Sequence, residues 1–410
     1  MDALRVLADD LTGACDVGAE LLPGPGGVVV QPALESRTPA PRGAICVRNT
    51  QSRTLAPADA APRVAAALAD VGPGWAGLVL KKIDTGLRGP LGAEIDATMD
   101  ALGVEEAFVL PAIPEVGRTT LAGRQMIGGV PVNETAFARD PHHPIRDASV
   151  SAALAATGRR RAALIEIAAV RGDMGAEVER ARAAGGGVLV CDAETDADLE
   201  RAVRTLLLRA RPLLLVGSTG LARALRRVLG TEQAGRAVRP AGPAALFGDG
   251  VLVVAGSAHP ATRRQVERAA ERRLVQPIEV ASLAGAEWAG AQAARALASG
   301  VAAPALIPPA VPSVEGSASV LAALRRAALT TLARVRPASL VLVGGETAYQ
   351  VLEGLGLPPL WLESRLCPLV VRARLMAGAY AGLAVITKGG STGAPDLLVS
   401  IVRQLARGAA

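Results

Sequence analysis

Residues 339–348 read SLVLVGGETA, and this stretch decides the fold. An apolar run of strand length stops at two glycines, and a helix-forming sequence follows. Two other segments repeat the design. VLVVAGS (251–257) enters a Gly/Ser turn before a helical stretch over 261–273, and LAVITKGGSTG (383–393) enters another before a helical stretch over 396–405. Strand, glycine turn and helix form the repeating unit of an open parallel sheet, whose ligands bind at the carboxyl ends of the strands. Glycines let the backbone approach phosphate oxygens, and a helix N-terminus offers unpaired N–H groups and a positive dipole end. One such turn is commonly just a tight turn, but three in one domain point to a nucleotide site. Its candidate residues are Ser257, Gly344, Gly345, Glu346, Thr347, Lys388, Gly389 and Gly390, with Lys388 adding a cation. No Walker A order, GxxxxGK[ST], occurs in the chain.

The same alternation extends toward the N-terminus. ALRVLAD (3–9), GGVVVQP (26–32), AICVRN (44–49), GLVLKKID (77–84), AFVLPAI (107–113), ALIEI (163–167), GVLVCDA (187–193) and PLLLVGSTG (212–220) read as strands. Helical stretches at 57–71, 91–102, 196–208 and 221–229 lie between them. Strands alternating with helices predict parallel βαβ units. The expected fold is therefore α/β, with two domains, each a mainly parallel sheet flanked by helices. Residues 231–249, rich in Gly, Pro and Ala without periodicity, read as the linker between domains 1–230 and 250–410. Residues 114–150 have frequent Pro and Gly and poor periodicity, which predicts a long functional loop carrying Glu115, Arg118, Thr119, Arg124, Asn133, Asp140, His142 and His143.

Chemistry-bearing residues cluster at the predicted strand ends of the first half. Asp9 and Asp10 end the first strand, Arg53 follows the third, and Lys81, Lys82, Asp84 and Arg88 follow the fourth. With parallel strands these share one rim. Arg and Lys there can hold a substrate carboxylate, Arg with a two-pronged fork. Asp10 and Asp84 can take a proton from a hydroxyl or help hold Mg²⁺, and the sequence does not separate these roles. Arg118 joins them as a candidate substrate contact. The blander reading has Asp10 and Thr12 capping the first helix and Asp84 pairing with Arg88. A His-based metal site is not expected: His142 and His143 are adjacent and point apart, and His259 is remote.

Composition narrows the classes. Half of the 410 residues are hydrophobic and only 2% are aromatic, so the cores must be built from Ala, Val and Leu. The formal charge is +6, but no long Lys/Arg run exists and stacking aromatics are scarce, which argues against nucleic acid and suits a small anionic substrate. Four dispersed cysteines predict reduced thiols. No apolar run reaches membrane length, and the acidic opening MDALRVLADD is unlike a signal peptide, so the expectation is a cytoplasmic protein without a membrane partner.

ADDLTGACDVGAEL (8–21), KKIDTGLRGPLGAEI (81–95), PAIPEVGRTTLAGR (111–124), DAETDADL (192–199), VGSTGLARAL (216–225), GSAHPATRRQ (256–265), VGGETAYQVL (343–352) and GLAVITKGG (382–390) together resemble the four-carbon acid sugar kinase family. The resemblance covers nearly the whole chain in the family's order. It implies an N-terminal domain for threonate, erythronate or 3-oxo-tetronate and a C-terminal domain for ATP, with the active site in the cleft between them and Mg²⁺ as cofactor. It places acid contacts on Asp10, Arg53 and Lys81 to Asp84, and nucleotide contacts on Ser257, Gly344 to Thr347 and Gly389 or its neighbour. The chain departs from the family at Thr85–Pro90, at 366–370 and at 391–393. The last two departures motivate an alternative, a catalytically silent binder on the same scaffold. The oligomeric state stays open, with a homodimer as one expectation.

Overall fold

The computed structural model describes residues 4–22, 26–34, 40–71, 74–140, 143–230, 248, 250–301, 303–309 and 316–407. The expected linker, apart from Gly248, and His142 lie outside the described residues. The chain forms two compact units. The first comprises the described residues up to Gly230, and the second the described residues from Gly248 onward.

The first unit contains β1 (Leu4–Ala8), β2 (Val28–Gln31), β3 (Ile45–Asn49), β4 (Leu78–Lys82), β5 (Ala107–Leu110), β6 (Arg118–Leu121), β7 (Arg124–Ile127), β8 (Val130–Pro131), β9 (Ala162–Ile165), β10 (Val188–Cys191) and β11 (Leu213–Gly217). Its main sheet is parallel throughout, in the order β2-β3-β1-β4-β11-β5-β10-β9. Ala8 is level with Asn49 on one side and Lys82 on the other, and Lys82 is level with Gly217. The strand order runs outward from β1 in both directions, so the crevice at its carboxyl end is a topological switch point.

Strand alternation sends Leu7, Val79, Val109 and Val190 to a core shared with Val64, Leu91, Ile95 and Met99. The opposite face meets the helix Leu11–Glu20, which also contacts the helix Thr219–Val228.

The second unit contains β12 (Val251–Ala255), β13 (Gln276–Glu279), β14 (Pro304–Ile307), β15 (Ser339–Val343), β16 (Leu360–Cys367), β17 (Val370–Leu375) and β18 (Ala384–Lys388), ordered β13-β14-β12-β15-β18-β17-β16. The first five in that order are parallel, and the β16–β17 hairpin adds antiparallel. Small residues do the packing that scarce aromatics cannot. The helices Ala286–Ala298 and Gly316–Arg334 approach so closely that Thr331 Oγ1 donates to Gly290 O at 3.1 Å.

Segments that differ from the sequence reading include two in the first unit. Residues 114–150 are not one long loop: β6, β7 and β8 form a small antiparallel sheet, followed by short 3-10 turns at Val132–Glu134 and Ala136–Arg139. These strands are two to four residues long, too short to show alternation. The predicted strand 163–167 ends at Ile165, and Ile167 already begins a short helix.

Candidate active site

The backbone after β1 sets the geometry of the first unit's site. Asp10 caps the helix Leu11–Glu20, accepting from Gly13 N at 2.8 Å on Oδ1 and from Thr12 Oγ1 at 2.7 Å on Oδ2. Asp9 O accepts from the backbone N–H of Ser52 and Arg53, which draws the loop after β3 across the end of β1. Arg53 can then fork onto the acids. Its Nε and Nη2 donate to the two Asp9 oxygens at 2.8 Å each, and Nη2 also donates to Asp10 Oδ1 at 2.7 Å. Its Nη1 lies 4.0 Å from Asp84 Oδ1.

Asp84 is held in turn by Arg88, at 2.8 and 3.0 Å, and by the backbone N–H groups of Gly86 and Arg88. The capping and pairing roles of the blander reading are therefore present. They also gather the acids and guanidinium groups at one rim, where Asp9, Asp10 and Asp84 are all buried.

Lys81 and Lys82 part company because a strand alternates faces. Lys81 is fully buried and donates to Glu94 at 2.5 Å; Glu94 also accepts from Ser52 Oγ at 2.6 Å. It braces the rim from below. Lys82 projects beneath the helix Leu11–Glu20, where a side chain at Gly13 would begin 3.5 Å from its Nζ.

From the small sheet, Arg118 donates to Thr85 Oγ1. The Phe137 ring sits under both Arg88, at 5.0 Å, and Arg118, at 5.9 Å, and Asp140 holds Arg88 at 3.1 Å. Of the polar residues expected to be functional in 114–150, Arg118 and Asp140 reach the rim. Glu115 instead pairs with Arg223, Arg124 lies near Asp147, and the Asn133 side chain donates to Arg146 O.

Charge balance sets the ionisation of these groups. Burial raises the Asp9 carboxyl, but Arg53, Lys81 and Lys82 outweigh it and hold it below the usual range. Burial likewise works against Asp84 ionisation, and Arg88, Arg53 and Lys82 drive it well below. Burial lowers Lys82 despite the neighbouring Asp9, and lowers Arg118 despite Asp84. Asp16, which the sequence reading did not single out, goes the other way: burial pushes it up to about 7. Its sequence signal was its position one turn after Gly13, as a charged residue in the middle of a largely apolar, buried helix. Phe137 carried no such signal, because its place depends on the turn at Ala136–Arg139.

The second unit brings its candidate residues together by register. Ala255 is level with Val343, and Val343 with Lys388, so all three turns begin at one edge. Gly344 takes φ of 106°, a conformation side chains disfavour, and its N–H donates to Lys388 O at 2.8 Å. A Cβ at Gly390 would collide with Ser257 Oγ. Thr262 Oγ1 donates to Gly390 O at 2.9 Å, and Gln265 Nε2 to Thr392 O at 2.9 Å, which fixes the last turn. Ser257 thus lies beside both Gly344 and Gly390, and Thr347 lies beside Gly344. Gly345 and Glu346 open the helix Gly345–Gly354. Lys388 is fully buried, and its Nζ donates to Gly389 O at 2.8 Å.

Among the described residues no group of three or more His, Cys, Asp or Glu is placed to hold a metal ion. No helix among them is long and apolar enough to cross a membrane.

Comparison with known proteins agrees with this division. Residues 4–225 match the model of a sugar-binding N-terminal domain, and residues 252–398 that of a nucleotide-binding C-terminal domain. D-threonate kinase of Salmonella typhimurium is 36% identical over 67% of this chain, a match that spans 62% of that relative's length. D-threonate kinase of Bordetella bronchiseptica is 32% identical over 97% of this chain and 96% of its own. 3-Oxo-tetronate kinase of Methylobacterium radiotolerans is 32% identical over 96% and 97%. A crystal structure from Salmonella typhimurium LT2, provisionally described as a tRNA synthase, shares the fold: TM-score 0.77, 22% identity, 99% of this chain and 100% of that one. With both domain models matched in order and curated relatives alike over nearly its full length, the chain belongs to the four-carbon acid sugar kinase family.

Proposed function

We propose that this protein transfers the γ-phosphoryl group of ATP to a hydroxyl of a four-carbon sugar acid of the threonate, erythronate or 3-oxo-tetronate type. The observation that carries the reading is the rim of the first unit, where Arg53, Lys82, Arg88 and Arg118 gather around acids at a sheet switch point. A four-carbon acid offers one permanent charge, and its hydroxyls are shared with neutral sugars. Selecting it requires cations at one end of the site. Arg53 and Lys82 are the proposed carboxylate contacts. The fork of Arg53 on Asp9 and Asp10 leaves its Nη1 edge for the ligand, and Lys82 uses one of its three donors on Ile83 O at 2.6 Å.

The turns at Ser257, Gly344–Thr347 and Lys388–Gly390 are the proposed phosphate cradle, with backbone N–H groups and the helix Gly345–Gly354 facing the anion. Mg²⁺ needs few protein ligands when nucleotide phosphates supply the rest, so a site without a three-carboxylate cage fits it. Glu346 is the acid among the turn residues that would help hold it. Mg²⁺ held there would supply positive charge to offset that of the nucleotide's phosphates.

The test is a coupled ADP-release assay on pure protein with a panel of threonates, erythronates and 3-oxo-tetronates, with and without Mg²⁺. Acid-dependent, Mg²⁺-dependent ADP release is expected. Absence of turnover across the whole panel sinks the proposal.

A further inference from the structure

We infer that the Asp16 carboxylate takes the proton of the sugar-acid hydroxyl that attacks the γ-phosphorus. The inference rests on the kinase reading and adds a residue to it.

Asp16 stands one helical turn after Gly13, the point where the helix Leu11–Glu20 crosses Lys82. The residue is partly exposed at the rim, yet its Oδ1 is sealed from solvent and has no hydrogen-bond partner among the described residues. A buried carboxylate oxygen without a donor is costly and calls for an explanation. With Oδ1 left unpaired inside, a ligand hydroxyl donating to the partly exposed side of the same carboxyl supplies the donor that the group lacks.

The other rim acids are already engaged. Both Asp9 oxygens accept from Arg53, both Asp10 oxygens accept from its own helix start or from Arg53, and both Asp84 oxygens accept from Arg88. Asp9 and Asp84 are also held below the usual carboxylate range, which makes them weak proton acceptors. The charged groups facing Asp16 are Lys82 from β4, Arg118 from β6, and Asp10 and Glu20 from its own helix and cap. Burial outweighs the two cations, and the two acids add to it, which brings Asp16 to about 7. A general base is most effective with a pKa near the working pH.

In the proposed step the hydroxyl oxygen bonds to the γ-phosphorus while the bond from γ-phosphorus to the β,γ-bridging oxygen breaks. That electron pair leaves with ADP. The hydroxyl proton passes to Asp16 and is later released to water, so the products are phosphorylated acid, ADP and one proton.

The experiment compares full-length wild type, Asp16→Asn and Asp16→Glu at saturating Mg-ATP, with an acid that the wild type phosphorylates. Wild-type kcat should fall below about pH 7 as Asp16 becomes protonated. Asp16→Asn should lose roughly 10²- to 10⁴-fold in kcat and lose that acidic limb, while calorimetry shows the acid still bound. Asp16→Glu should recover part of both kcat and limb, and a melting curve checks that each variant is folded. Asp16→Asn with wild-type kcat, or with the acidic limb intact in its residual activity, overturns the inference while leaving the kinase reading standing. A wild type that turns over no acid of the panel overturns both.

Discussion

Asp9, Asp10 and Arg53 show how one set of contacts serves both fold and function. The Asp10 cap starts the first helix, and the same oxygen that accepts from Gly13 also accepts from Arg53. Removing the guanidinium therefore leaves two buried carboxylates without their main counter-charge. Arg53→Ala should cost stability on the order of 3–5 kcal/mol, as breaking a buried ion pair does. A melting curve of the variant would read this as a marked drop in Tm. Loss of a charged hydrogen-bond partner should also raise the acid's KM roughly 10- to 150-fold, from about 1.5–3 kcal/mol at 1.4 kcal/mol per decade. The KM for ATP should stay close to wild type. If the variant weakened ATP and spared the acid, the carboxylate assignment for Arg53 would fail. Lys81 shows a limit of residue-level reading. In sequence it is indistinguishable from Lys82, and only strand parity and the buried partner Glu94 assign it to the interior.

At the scale of elements, the parallel strands and their Gly turns were legible because each is a local signal: an apolar run, a glycine and then helical periodicity. The β6–β7–β8 sheet was not, because strands this short carry no periodicity and depend on contacts distant in sequence. Asp192, for example, accepts from the Ala122 and Gly123 N–H groups at 2.9 Å. The β16–β17 hairpin escaped as well; it reverses where Cys367 pairs with Val370, inside the stretch 366–370 that departs from the family's pattern. The departure at 391–393 is likewise an ordered turn, tied through Gln265 to Thr392, Gly393 and Ala394. That order gives a prediction. Gly390→Ala forces a methyl group against Ser257 Oγ, and overpacking of this kind costs about 1–3 kcal/mol. ATP affinity measured by calorimetry should fall by roughly 5- to 150-fold, with Tm lowered only modestly because the turn is peripheral to the core. Unchanged ATP affinity would remove Gly390 from the phosphate cradle.

At the scale of the whole molecule, the sequence places its two chemistries far apart. The acids and cations of the first rim come from Asp9 to Arg118, and the phosphate-type turns from Ser257 to Gly390. Each group is organised inside its own compact unit by the register of its own strands. No hydrogen bond described for one group depends on a residue of the other. The two ligands should then have separable affinities in the intact chain. Calorimetry with a four-carbon acid alone, and with a non-hydrolysable ATP analogue alone, should each give a binding isotherm. Lys82→Met should weaken the acid roughly 10-fold or more, the cost of a lost charged partner, and leave the analogue's Kd near wild type. Thr347→Val should do the reverse, because it removes a hydroxyl beside Gly256 and Gly344 while keeping side-chain volume. A double variant should show the sum of the two effects, as expected for groups that share no hydrogen-bond partner. If either single variant weakened both ligands equally, with Tm unchanged, the assignment of one ligand to each unit would have to be abandoned, because a merely destabilised fold would have shown itself in the melt.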